Sequence, residues 1–164
     1  MKRRGIAVLL GVAMSASTSL YAVQQTAQTT VKVTARVNAF CQITASDLDF
    51  GAYSAQSSTP LQVSTMLRAT CTPETTYNIG LNEGASPGAT VTARKMVSGA
   101  NSLNYQLYSD VNRTKIWGNT VPTNSVWGVG TGTELTHTVY GSVPAKQVVP
   151  EGDYSDTISV RLYY

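Results

Sequence analysis

Charge, histidine and cysteine are all scarce in this chain. Only 13% of its residues are Asp, Glu, Lys or Arg, and it holds one histidine and two cysteines. So few charges leave no acidic or basic run that could serve as a solvating tail or a nucleic-acid arm. A single histidine makes any Ser-His-Asp or Cys-His machine depend on His137 alone. That residue alternates with Leu135 and Val139 in a strand-like pattern, with no nucleophile elbow in the sequence. Two cysteines and one distant histidine fall short of a usual zinc ligand set. Asp47, Asp49 and Gly51 begin like a calcium loop, but the later ligands and the closing Glu are missing, so a turn is expected there. No enzyme activity, cofactor or metal centre is therefore expected. Helical periodicity, internal repeats and a linker between two domains are also lacking.

What is present begins with a targeting pattern. Lys2, Arg3 and Arg4 precede an apolar run from Ile6 to Met14, and small residues dominate up to Ala22. A basic start, a short apolar stretch and small residues at the end describe a secretory signal peptide, expected over residues 1–22. The apolar run is shorter than the ~20 residues a spanning helix needs. Three of the 12 Lys and Arg leave with this segment, so residues 23–164 carry 9 basic against 9 acidic residues. The basic pI thus belongs to the targeting segment, and no nucleic-acid partner is expected. In an exported chain the two cysteines, Cys41 and Cys71, have one possible pairing and are expected to form a disulfide.

The remaining 142 residues suit one domain and are rich in period-two alternation. Residues 23–30 are polar and uncharged, an extended arm. Val31, Val33, Ala35 and Val37 then alternate with polar residues, predicting a strand that leads into Cys41 and Ile43. Further strands are predicted over 61–71, 77–81, 91–97, 103–107 and 135–141, with 119–132 as a long loop around Trp127. Glu151, Asp153 and Asp156 crowd a Gly-containing turn as solvated acids. In the last segment Tyr154, Ile158, Val160, Leu162 and Tyr164 share one parity, predicting a half-buried strand with no later segment to pair beyond it. Seven or so short strands separated by turns indicate an all-β, immunoglobulin-like sandwich. Trp117, Trp127 and the tyrosines suit a sandwich core as readily as a sugar-binding surface.

The order of several short motifs resembles the spore coat protein U domain family, the subunits of archaic, Csu-type chaperone–usher pili. They are Leu48-Asp49-Phe50-Gly51, Ala69-Thr70-Cys71, Tyr77-Asn78-Ile79-Gly80-Leu81 and Arg94-Lys95-Met96. Then come Leu103 to Asp110, Trp117-Gly118, Tyr140-Gly141, Val143-Pro144-Ala145 and Gly152-Asp153-Tyr154-Ser155-Asp156 before a tyrosine-ended strand. Each motif alone is weak; their order across nearly the whole exported chain is specific. The resemblance implies an incomplete, pilin-type sandwich missing one strand, formed by residues 39–164 after a donor-strand arm at 23–38. It implies a periplasmic pilus chaperone, an outer-membrane usher and other copies of the chain as partners in a head-to-tail polymer, with export to the periplasm and then the cell surface. Val31, Val33, Ala35 and Val37 would be the donor residues. Tyr154, Ile158, Val160, Leu162 and Tyr164 would line the acceptor groove that a chaperone or neighbouring subunit completes. Two other readings compete with this structural subunit: a self-complemented secreted coat protein whose arm folds back, and a minor adhesin that binds glycans.

Overall fold

A computed structural model describes residues 23–164, so the expected signal segment, 1–22, lies outside the described residues. Residues up to Arg36 and the unit Val37–Tyr164 are separate bodies. Residues 23–36 are exposed and carry no helix or strand, and Val31 and Val33 are more than four-fifths exposed. The strand expected over 31–37 is thus not formed. Alternation specifies two faces, but a strand exists only where a second backbone supplies ladder hydrogen bonds, and none does so here.

The larger unit contains eight strands. They are β1 (Cys41–Ala45), β2 (Leu61–Cys71), β3 (Thr76–Leu81), β4 (Arg94–Ser98), β5 (Asn101–Tyr108), β6 (Val126–Val129), β7 (Glu134–Val143) and β8 (Val160–Tyr163). One antiparallel sheet runs β1-β2-β7-β5-β4 and the other β6-β3-β8. Alternation makes them a sandwich. Leu67, Ala69 and Cys71 of β2, Tyr77, Ile79 and Leu81 of β3, and Leu103, Tyr105 and Leu107 of β5 all turn into one core. The arrangement is the expected all-β, immunoglobulin-like sandwich with one strand too few.

Side chains from loops and strand ends tie strands within a sheet, and the two sheets, together. Cys41 stands opposite Cys71 across β1 and β2, and the two are joined as the expected disulfide. Trp117 is buried and donates from Nε1 to the Ile79 carbonyl at 2.8 Å. It therefore lines no sugar-binding surface. Arg94 on β4 is wholly buried and serves the opposite sheet. Its guanidinium donates to the carbonyls of Leu81 (2.9 Å), Asn82 (2.6 Å) and Trp117 (2.8 Å) and to Gln106 Oε1 (2.7 Å). Burial pulls its pKa down, opposed by the nearby Tyr105, Asp156 and Glu83.

Two local expectations fail for identifiable reasons, and a third is met. Trp127 lies on β6 rather than in a loop, because Gly128 beside it lets the Tyr77 ring cross beneath the strand. Residues 47–51 form the expected turn, in which Asp49 Oδ1 accepts from the Gly51 amide (2.8 Å). The last strand starts at Val160 rather than near Tyr154, because Ser155 exchanges two backbone hydrogen bonds with Val97 at the edge of β4. Residues 154–159 thereby cross between the sheets.

Candidate functional site

The feature that stands out is a groove along one side of the sandwich. β1 is an edge of the larger sheet and β8 an edge of the smaller, and the two edges lie side by side. β8 pairs with β3 through Val160↔Leu81 to Tyr163↔Asn78, which occupies only one of its edges. Asn82 extends that ladder: its amide donates to the Ser159 carbonyl (3.1 Å), and its side-chain Oδ1 accepts from the Ser159 amide (2.7 Å). No described strand pairs with the other edge of β8.

Beneath that edge is a cavity of about 980 Å³. Protein interiors are close-packed, with few voids larger than a water molecule, so a space of this size along the core marks a sandwich left open. Core side chains of both sheets form its floor, among them Leu67, Leu81, Leu103 and Val139. Leu48 and Phe50 form one wall, from the segment after β1, and Ile158 and Val160 contribute to the other. Leu48 and Phe50 can lie against β7 because position 141 is glycine. A Cβ there would meet Phe50 Cζ at 2.8 Å and the Leu48 methyls at 3.1 Å. Tyr53 fixes the end of the same segment, donating from Oη to the Pro144 carbonyl (2.9 Å) and accepting from the Gln147 amide (2.8 Å).

Of the residues assigned to the groove from sequence, Tyr154, Ile158 and Val160 line this cavity. Leu162 is half-buried against the core beyond the cavity lining, and Tyr164 is 61% exposed. Val31, Val33 and Val37 are exposed, and Ala35 lies in the same exposed stretch.

Asp156 is not the solvated turn acid expected. It accepts from the Tyr105 hydroxyl (2.6 Å) and from the amides of Ala85 and Thr157 (both 2.8 Å). Burial drives the Tyr105 pKa upward, and the hydrogen bond and charge of Asp156 add to the rise. The signal was present in the sequence, because Asp156 has the inward parity of Tyr154 and Ile158. Arg94 was traceable in the same way, through its parity with Met96. Leu48, Phe50 and Tyr53 had no such signal, because they lie outside regular strands. His137 holds a packed position, sharing a 2.8 Å hydrogen bond with Tyr77 Oη and meeting its ring edge-on; burial lowers its pKa. Among the described residues no cluster of His, Cys, Asp or Glu is arranged to hold a metal ion.

Two sheets joined through Arg94 and Trp117, an edge of β8 that no described strand pairs with and a groove opening onto the core define a pilin-type, incomplete immunoglobulin-like sandwich. The chain belongs to the Spore Coat Protein U domain family, whose match spans residues 27–161. It is 38% identical over 104 residues to Protein U of Myxococcus xanthus, an alignment that covers 60% of this chain and 58% of that protein. The fold is similar to a chain in the crystal structure of the CsuC–CsuE chaperone–tip adhesion subunit pre-assembly complex, from archaic chaperone-usher Csu pili of Acinetobacter baumannii. The TM-score is 0.58 at 24% identity, over 78% of this chain and 40% of that one. This chain thus matches less than two thirds of either relative.

Proposed function

We propose that the protein is a structural pilus subunit that polymerises by donor-strand complementation. The observation that carries this reading is the edge of β8 that no described strand pairs with, beside a groove of about 980 Å³ floored by core side chains such as Leu67, Leu81, Leu103 and Val139. An extended segment added there gains main-chain hydrogen bonds along the edge, while its alternate side chains fill the groove. Residues 23–38 fit the part of donor. They contain no proline, and Val31, Val33, Ala35 and Val37 present aliphatic groups at every second position. Each valine that becomes fully buried contributes about 1.5–3 kcal/mol, and the smaller Ala35 takes a shallower part of the groove. Donor and acceptor are different surfaces of one chain, so the contact is head-to-tail and yields a filament rather than a closed ring.

In this reading the chain is exported to the periplasm, where a pilus chaperone lends a strand to the groove. An outer-membrane usher then passes it into a surface fibre that supports adhesion and biofilm formation. The family match and the fold shared with a chain of a chaperone–subunit complex support the assignment. Deleting residues 23–38 while keeping the signal segment tests it. The variant should be exported and chaperone-bound yet unable to donate to another subunit; fibres built from it alone would refute the proposal. The coat-protein family name favours a second reading, a secreted protein whose own arm closes its groove. A stable monomer purified without a chaperone would support that alternative.

A further inference from the structure

The outer face of the β6-β3-β8 sheet carries an arrangement that assembly through the groove does not use. Trp127, Asn78 and Tyr163 stand in one row across the three strands, because Asn78 is paired with both of the others. Cross-strand partners share a face, and strands are about 4.8 Å apart, so the two aromatic residues are separated by about 10 Å with the amide between them. Trp127 is 62% exposed, the largest side chain left in solvent on this sheet. Tyr163 is 37% exposed, and its ring leans over Gly80, where a Cβ would come within 3.3 Å of it. Glycine at position 80 thus makes room for that ring and for the Asn119 backbone, whose Cα would be 3.0 Å from an added Cβ.

The polar groups in the row are specific donors. Asn78 Oδ1 is taken by the Ser125 hydroxyl at 3.0 Å, which orients the amide, while Nδ2 makes no hydrogen bond among the described residues and is reached by solvent. Arg161 is opposite Gly80 in the adjacent row on the same face and is exposed. It has no ion pair; the salt bridge formed among the described residues is Arg68–Glu134 on the other sheet.

We propose that this face binds acidic polysaccharide. The C–H faces of alternate sugar rings stack on Trp127 and Tyr163, a hydroxyl between them accepts from Asn78 Nδ2, and a carboxylate on the sugar pairs with Arg161. Two flat rings held apart by a strand suit a repeating, ring-shaped ligand, and an unpaired guanidinium beside them selects an anionic one. The groove opens on the opposite face of the same sheet, so a strand added at β8 leaves the row accessible and the two activities are separable.

Surface plasmon resonance of the full-length exported protein on immobilised polygalacturonate, with dextran as the neutral control, tests this. The unsubstituted protein should bind polygalacturonate in preference to dextran. Trp127→Ala should weaken that binding at least tenfold, and Arg161→Gln should weaken it as much while removing most of its salt dependence. Both variants should keep the melting temperature and fibre formation of the parent. Equal retention on the two polymers, or full binding by either variant, would overturn the proposal. So would normal polygalacturonate binding by Trp127→Ala together with loss of lateral association between fibres, because the face would then be a protein contact.

Discussion

The Tyr105 hydroxyl donates to Asp156 Oδ2 at 2.6 Å, fastening β5 of the larger sheet to the segment that delivers β8 to the smaller one. A hydrogen bond to an ionised acceptor in a largely buried setting is among the stronger kinds. Replacing Tyr105 by Phe should cost about 1–3 kcal/mol in denaturant unfolding and speed amide exchange in residues 154–163. The raised pKa also fixes a direction with pH. The unfolded chain begins to lose this phenolic proton near pH 10 while the folded chain retains it. The contribution is therefore complete below that pH and declines as pH rises further. The Phe variant should lack this share of the alkaline loss.

His137 works at the other end of the scale. Burial lowers its pKa, so below about pH 6.5 the unfolded chain takes up a proton that the folded chain resists. Stability from this group is complete above that value and is lost as pH falls toward the depressed folded pKa. His137→Gln should flatten the stability profile between pH 7 and 5 relative to the parent, as measured by thermal melts at each pH.

Gly84 combines two constraints. Its φ is +98°, and an added Cβ would overlap the Asp156 carboxylate. Gly84→Ala should therefore cost about 1–3 kcal/mol through the backbone alone. It should also release the segment before β8, seen as increased proteolysis between residues 150 and 159.

Arg94 is expected to tolerate no substitution quietly. Its planar fork serves four carbonyls and an amide oxygen in a wholly buried position, a pattern that an ammonium on a flexible stem cannot reproduce. Arg94→Lys should lower unfolding free energy by about 2–4 kcal/mol, measured in guanidinium chloride, with the carbonyls of Leu81 and Trp117 left underserved.

Much of the sandwich was legible because β2, β3, β5 and β7 each have a core face and an outer face, and alternation records that directly. The disulfide was legible from the cysteine count and the export pattern. Strand limits were harder to read wherever a partner or a side chain decides them. Trp127 sits among glycines and prolines that suggest a loop, and the strand there rests on pairing with β3, which the passage of the Tyr77 ring past Gly128 permits. Residues 154–159 alternate like a strand, yet Ser155 pairs with Val97 and Asp156 turns inward to Tyr105. In residues 31–37 the alternation is clear, but no partner backbone is present to make a ladder. Of the groove, the β8 side could be inferred from its apolar parity. The wall built by Leu48 and Phe50 could not, because it rests on the absence of a side chain at Gly141.

Photo-crosslinking from the arm tests the central claim most directly. A benzophenone amino acid placed at Val33, in fibres grown from equal parts of isotopically light and heavy protein, will mark whatever that position touches. The account predicts crosslinks from residue 33 to groove residues within 48–53 or 154–160, with mixed light–heavy pairs showing that donor and acceptor are different copies. Crosslinks confined to light–light and heavy–heavy pairs, or falling outside the groove, would contradict it.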